Sequence, residues 1–460
     1  MPDLNKKTQH IGWGLTILIP LIIFFIPTGE FFDSTMKLFL MIVSAMLCII
    51  VFENMNLLIP AILMPILFVL TGLAPAASIF GPWANFIPWM TLGGFLFAVT
   101  FNRIGLFKRM SYFFVLKTGG SFSALLYGIM TAGIVINIIV PAYIAIPMAA
   151  FIFGLCVALG LKKSKTSSAI SIVAAMSVIT ATVFVYNNII ITMGIGQTVA
   201  PQYTVSFFEN LWHNWPFIFL MYFMTYLVDV MYRKHAKEEL GDIRSVVLEE
   251  SKKLGPMSMD EKKAAAICIG ILIFLMTGGL HGIPVGWGMA IGALFLFFPG
   301  INVGTDDDVK QVNFPIVFLV TAFMGMGGVA GYHGWGVQIG EMFMPHLAGA
   351  SDVSIIMMLT GLIMALNLVL TPLAIQFSLT APMTEVFVTL GMNPLPLWYL
   401  INHAVDLILI PHQIMLYLIF FGFGMIYLSD FIKISFMKLV VNLAFIPLIA
   451  VPWWRFVGLF

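Results

Sequence analysis

Charge is what this sequence has least of. Only 9% of its 460 residues are Asp, Glu, Lys or Arg, against about 25% in soluble domains, whose surfaces face water. That scarcity excludes a soluble globular domain. Cysteine is scarcer still: Cys48, Cys156 and Cys268 lie far apart, in or beside apolar runs, without metal-ligand or redox spacing. They read as small buried hydrophobes. The net charge of +1 gives no reason to expect nucleic acid as a partner. There is no HExxH zinc helix, GxSxG turn or GxGD-type aspartate pair, so nothing marks an intramembrane enzyme. The strict alternation of outer-membrane barrel strands is missing as well.

What is present is apolar: 60% of residues are hydrophobic and the mean hydropathy is +1.02. Runs close to the ~20 residues that cross a ~30 Å hydrocarbon core recur along the chain. The expectation is an all-α integral membrane protein with spans at 11–27, 36–53, 57–73, 86–102, 167–196, 205–231, 264–280, 283–299, 312–332, 395–423 and 435–453, which makes 11 transmembrane helices. The first run follows Lys6 and Lys7 without a small-residue cleavage site and reads as a retained span. The 31 methionines are scattered and suit packing gaps better than metal.

Two further stretches, 121–160 and 353–385, are too long for one crossing and are interrupted by Pro141 and Pro372. Each reads as a re-entrant hairpin, which is tolerated where protein or a cavity satisfies its backbone. With the N-terminus cytoplasmic, 20 of the 22 basic residues, Lys438 included, fall on the cytoplasmic side, leaving Lys37 and Arg455 outside. That agrees with the positive-inside rule. The C-terminus is then outside, and the setting is a cell inner or plasma membrane. Making either stretch a single crossing scatters these charges.

Landmarks recur in order. Ile59-Pro60 matches Ile283-Pro284, Asn85-Phe86-Ile87-Pro88 matches Asn313-Phe314-Pro315, and Asn137 with Pro141 matches Asn367 with Pro372. Asn137 lies 52 residues beyond Asn85, and Asn367 lies 54 beyond Asn313. Five spans separate the repeat starts, so the repeats have opposite topology. The layout is an N-terminal span (1–35), a first inverted repeat (36–231), a polar cytoplasmic linker (232–263) and a second repeat (264–460). Inverted repeats are the usual build of secondary transporters, with the solute bound near the midplane at discontinuous helices.

Interrupted helices leave N–H ends that attract anions and C=O ends that coordinate cations. The hairpin tips around Asn137 and around Asn367 with Thr371 are candidate sites; a neutral amide meets either sign of charge or stitches the turn. Each half also carries a span with a polar break, Thr180 to Asn188 and Asp406 to Gln413. Pro411 opens the second, because it lacks an N–H. Asp406 has His403 and His412 on either side in sequence. Intramembrane ionisable groups are relay candidates by default, and a structural His403–Asp406 pair one turn apart is the other reading.

Together these landmarks resemble the divalent-anion/sodium symporter family, which carries dicarboxylates, citrate or sulfate. The resemblance runs from about Glu53 to the C-terminus and includes Phe52-Glu53-Asn54-Met55-Asn56, Ala84-Asn85-Phe86-Ile87-Pro88 and Leu92-Gly93-Gly94-Phe95. It implies a homodimer, elevator-type alternating access, and sodium and carboxylate sites at the hairpin tips and broken spans. The tip asparagines align as Asn137 and Asn367, but Ile136, Ile138, Leu366 and Leu368 stand where the family has serine or threonine. Val185-Tyr186-Asn187-Asn188 and Ile410-Pro411-His412-Gln413 replace its Thr-Pro-Pro-Asn-like loops. The resemblance therefore carries the scaffold, but not sodium coupling or dicarboxylate specificity.

The expectation is a secondary active transporter of a small organic anion, not an enzyme, in contact with a small solute and the lipid bilayer. Asn137, Thr182, Asn188, Asn367, Thr371, His412 and Gln413 are expected to bind substrate. Asn137, Asn367, Asp406 and His412 are expected to serve ion coupling, to sodium or protons, unless the protein is an exchanger. No Lys or Arg is expected at pocket depth, and no cofactor or metal beyond a sodium ion if coupling uses one. A sodium/proton antiporter on the same scaffold, with Asp406 as its carboxylate, is the alternative.

Overall fold

A computed structural model describes residues 6–29, 32–52, 54–139, 144–180, 184–335, 338, 349–368, 370 and 372–460. Every regular element among them is helical. The first half contains α1 (Lys6–Phe25), α2 (Ser34–Val51), α3 (Leu58–Leu70), α4 (Phe86–Ile104), α5 (Leu106–Thr118), α6 (Phe122–Ile139), α7 (Ala145–Ala158), α8 (Lys165–Ile179), α9 (Tyr186–Gly196) and α10 (Pro216–Glu239). The second contains α11 (Met259–Met276), α12 (Val285–Phe295), α13 (Phe314–His333), α14 (Asp352–Leu366), α15 (Pro372–Thr389), α16 (Leu395–Ala404), α17 (Met415–Gly422) and α18 (Leu428–Phe445), which continues to Phe456.

Short polar side chains set several helix starts. Asp33 accepts the Met36 N–H at 2.6 Å above α2, and Asn85 accepts the Ile87 N–H at 3.0 Å above α4. Each satisfies an N–H that has no partner within its helix. Helix interruptions fall at three places anticipated from sequence, between α8 and α9, α14 and α15, and α16 and α17, while the interruption expected at Pro141, between α6 and α7, lies outside the described residues. With 15 and 10 residues, α8 and α16 are about 22 and 15 Å long at 1.5 Å per residue. Neither spans a ~30 Å core alone. Among the described residues, four helices are long and apolar enough to cross a bilayer: Ser34–Val51, Phe122–Ile139, Phe314–His333 and Leu428–Phe456. Two bent pairs, Ala76–Ala84 with Phe86–Ile104 and Phe207–Asn214 with Pro216–Glu239, bring this to 6. Among the other expected spans, 57–73, 167–196, 283–299 and 395–423 are built from shorter helices.

The packing of the two halves follows an exchanged pattern. α3 packs on α13 while α4 packs on α12, and α7 packs on α17 while α15 packs on α9. Both α6 and α7 lie against α8, as both α14 and α15 lie against α16. Ile17, Leu18, Leu70, Leu280, Leu448 and Phe456 are exposed, an apolar exterior suited to lipid. All three cysteines are buried and free.

Polar contacts gather in two sets. In one, Arg103 holds Asp308 at 2.7 Å, and Arg109 holds Glu261 at 2.8 Å and the Gly255 carbonyl at 2.9 Å. Ser123 donates to Asp229 at 2.9 Å and Ser164 to Glu239 at 2.5 Å, so the start of α6 and the residues after α7 both meet the C-terminal half of α10. In the other set, Arg455 pairs with Asp352 at 2.6 Å, and His213 hydrogen-bonds Tyr399 at 2.9 Å beside Trp454. The segment read as a linker, 232–263, is mostly helical. Its helix Ile243–Lys253 buries Ile243 and Val247 and packs against α5.

Candidate functional site

The first tip is brought to its break by a close helix crossing. A Cβ on Gly133 would collide with the Ser177 hydroxyl, so glycine there lets α6 close on α8. One turn on, the buried Asn137 donates through Nδ2 to the Val178 carbonyl at 3.3 Å. In the second half, Asn367 at the end of α14 donates through Nδ2 to the Val405 carbonyl at 2.9 Å and to Ala404 at 3.4 Å. Each tip amide thus meets carbonyls at the C-terminal end of a half-helix, the groups a helix leaves unpaired. Asn367 Oδ1 is buried and, among the described residues, has no hydrogen-bond partner.

Gln413 is held by the second break. Its Oε1 accepts from the Leu409 and Ile410 N–H groups, each at 3.0 Å, and its Nε2 donates to the Asn367 carbonyl at 3.0 Å. It ties the break to the tip. Asn188 lies in the first turn of α9 and is half-buried. Thr182, Thr371 and Glu53, and the side chain of His412, lie outside the described residues.

Around Asp406 the structure corrects the sequence reading twice. Lys438 was counted among the cytoplasmic cations, and no Lys or Arg was expected at pocket depth. Yet Lys438 is only 2% exposed, and its Nζ lies 2.8 Å from Asp406 Oδ2 and 2.7 Å from the Asp406 carbonyl oxygen. It sits ten residues into α18, about 15 Å from the helix start, where the break presents the Asp406 carbonyl and carboxylate oxygens. The His403–Asp406 pair does not form either. His403 Nε2 lies 2.5 Å from Asn442 Oδ1, while Tyr417 donates to Asp406 Oδ1 at 3.2 Å. Tyr417 also meets the Thr180 hydroxyl at 3.3 Å, which links the second break to the end of α8.

A polar chain that sequence reasoning passed over runs beside these groups. Gln376 donates to Asn402 Oδ1 at 3.1 Å, and Asn402 donates to the Thr192 hydroxyl at 2.7 Å. It joins α15, α16 and α9. Two amides and a hydroxyl on three helices give no local pattern, so only their apolar setting could have marked them. Among the described residues, no three His, Cys, Asp or Glu side chains gather as a metal site.

The model of the sodium:sulfate symporter transmembrane region matches residues 7–460. The chain belongs to this family. The family is one of membrane transporters. The chain is also 27% identical over 219 residues to a protein from Cupriavidus necator described as "Membrane protein". That similarity spans 43% of this chain and 40% of the relative, so the relative's whole length is not represented. In this member of the family, Lys438 places a basic side chain against the acidic Asp406 at the second break.

Proposed function

We propose that the protein is a secondary active transporter that carries a small, singly charged organic anion by elevator-type alternating access, as a homodimer. The observation that carries this reading is the matched seating of Asn137 on Val178 and Asn367 on Val405. Two hairpin tips, each on the break of its own half, make the paired centre that alternating access needs. The exchanged packing of α3 with α13 and α4 with α12 supports two repeats of opposite topology. Contacts from both ends of the α6–α7 pair to α10 support a hairpin that enters and leaves on one side.

Asn137, Asn188 and Asn367 are proposed to touch the solute, with Thr182, Thr371 and His412 beside them. Gln413 positions the second tip. Since Lys438 is neutralised by Asp406, the anion is held by amides and by half-helix N–H ends, an arrangement suited to one negative charge. Coupling runs to sodium, to protons, or to a second solute in exchange. The cytoplasmic side is the one bearing Arg109, Arg233 and the 232–263 segment.

The test is uptake into proteoliposomes of labelled monocarboxylates, sulfonates, dicarboxylates and sulfate, in sodium and in choline. Saturable uptake of a monoanion that falls at least tenfold in Asn137→Ala and Asn367→Ala, with both variants still folded, is the expected result. Uptake unchanged in both variants would sink the site. Lumenal pH changes driven by sodium without any anion would instead favour the antiporter.

A further inference from the structure

One stretch of the second half repeats the first in register. Phe208, Leu211, Asn214, Phe217, Ile218 and Leu220 recur as Phe436, Leu439, Asn442, Phe445, Ile446 and Leu448, each 228 residues later. Asn85 and Asn313 are separated by the same number. The hydrogen bonds recur too: Asn214 donates to the Asn210 carbonyl at 3.0 Å, and Asn442 to the Lys438 carbonyl at 2.7 Å. Position 210 in one half is therefore position 438 in the other. In the first half, Asn210 donates through Nδ2 to the Phe184 carbonyl at 3.1 Å, beside the break that precedes α9. In the second, the corresponding donor is the Lys438 ammonium, on the Asp406 carbonyl at 2.7 Å. The two halves thus place a neutral amide and a full positive charge at this shared position, each on a carbonyl of its own half's break, before α9 in the first half and after α16 in the second.

The ammonium's surroundings are those of a bound cation. Three oxygens face its three N–H groups: the Asp406 carbonyl at 2.7 Å, Asp406 Oδ2 at 2.8 Å and the Tyr417 hydroxyl at 3.4 Å. A backbone carbonyl near a half-helix C-terminus, which also accepts the Ile408 N–H at 2.9 Å, a carboxylate and a hydroxyl form a hard oxygen set of the kind that takes a small monovalent cation. Asp406 is 2% exposed, so its carboxylate needs a positive partner wherever it remains ionised.

We propose that Lys438 is a tethered cation occupying a monovalent-cation site at the second break, so that no sodium ion binds there while Lys438 is present. Its meaning for coupling rests on the transport reading: the second half needs no cation from solution, and any ion dependence arises elsewhere. The occupancy itself does not depend on transport.

Thermal unfolding of the purified full-length protein tests it without any substrate. Wild type, Lys438→Ala and Lys438→Asn, the last copying position 210, are compared in choline, sodium and methylammonium chlorides at one ionic strength. Both variants should unfold at lower temperature than wild type in choline. They should recover saturably with sodium or methylammonium, by more than wild type gains. Adding Asp406→Asn to either variant should abolish that recovery. Variants that respond to these cations no more than wild type does would overturn the proposal. Should neither variant fold in choline, recovery of monodisperse protein only when it is prepared in sodium or methylammonium supports it, and failure in all three salts counts against it. Absence of anion uptake in the proteoliposome assay would remove the transport reading and leave this result standing.

Discussion

At the residue scale, the Asp406–Lys438 pair tests how a charge is tolerated at membrane depth. Both side chains are at most 3% exposed, and removing one partner of such a pair leaves the other charge without compensation. Lys438→Met is expected to destabilise the protein by about 3–5 kcal/mol, whereas replacing both charges with residues of similar volume is often close to neutral. The double variant Asp406→Asn/Lys438→Met should therefore unfold well above the single variant, a comparison made by thermal unfolding in choline. A double variant no more stable than the single one would mean that the two charges act independently. The pair could not be read from sequence, because 32 residues and a helix break separate its members. Counting basic residues also treats any lysine near a span end as facing the cytoplasm. The register with Asn210 was the available signal: it sets Lys438 opposite a residue that is fully buried in the other half.

At the scale of elements, the breaks were legible because local chemistry makes them. Pro372 opens α15 and Pro411 opens the short turn before α17, and a residue without an N–H cannot continue a helix. Asn137 and Asn367 were legible as tip residues, but their seats on Val178 and Val405 were not, because those contacts join separate helices. Whether α6 and α7 return to one side is decided by their outer ends. Lys117→Cys, just before α6, and Lys162→Cys, just after α7, should label from the same side of the membrane in intact cells and inverted vesicles. The native thiols are buried and give little background. Labelling from opposite sides would make this pair a single crossing and reverse every later loop. Gly133→Ala is expected to cost about 1–3 kcal/mol through overpacking against Ser177, and to lower uptake by displacing Asn137.

For the molecule as a whole, the two halves are clamped outside the apolar core by ion pairs, and acid should release them. Asp308 and Glu261 each experience two opposing influences. Burial pushes each carboxyl up, but hydrogen bonds from Arg103 and Thr305 for Asp308, and from Arg109 and Ser258 for Glu261, prevail and hold both below their ordinary values of 3.8 and 4.5. A carboxyl whose folded value is depressed stabilises the fold fully above its unfolded value, and loses that contribution as pH falls through the folded one. Both contributions are thus intact at neutral pH and decline below about pH 4.5. These contacts bind α4 to the segment before α13 and α5 to the start of α11, so their loss loosens one half against the other while the lipid-facing surface is unchanged. The unfolding temperature of the wild type should fall as pH drops from 5 to about 3.5. The double variant Asp308→Asn/Glu261→Gln should start lower at pH 7 and show a shallower fall. Parallel curves for the two proteins would place the acid sensitivity elsewhere, and a wild-type curve that rises in acid would contradict the depressed carboxyls.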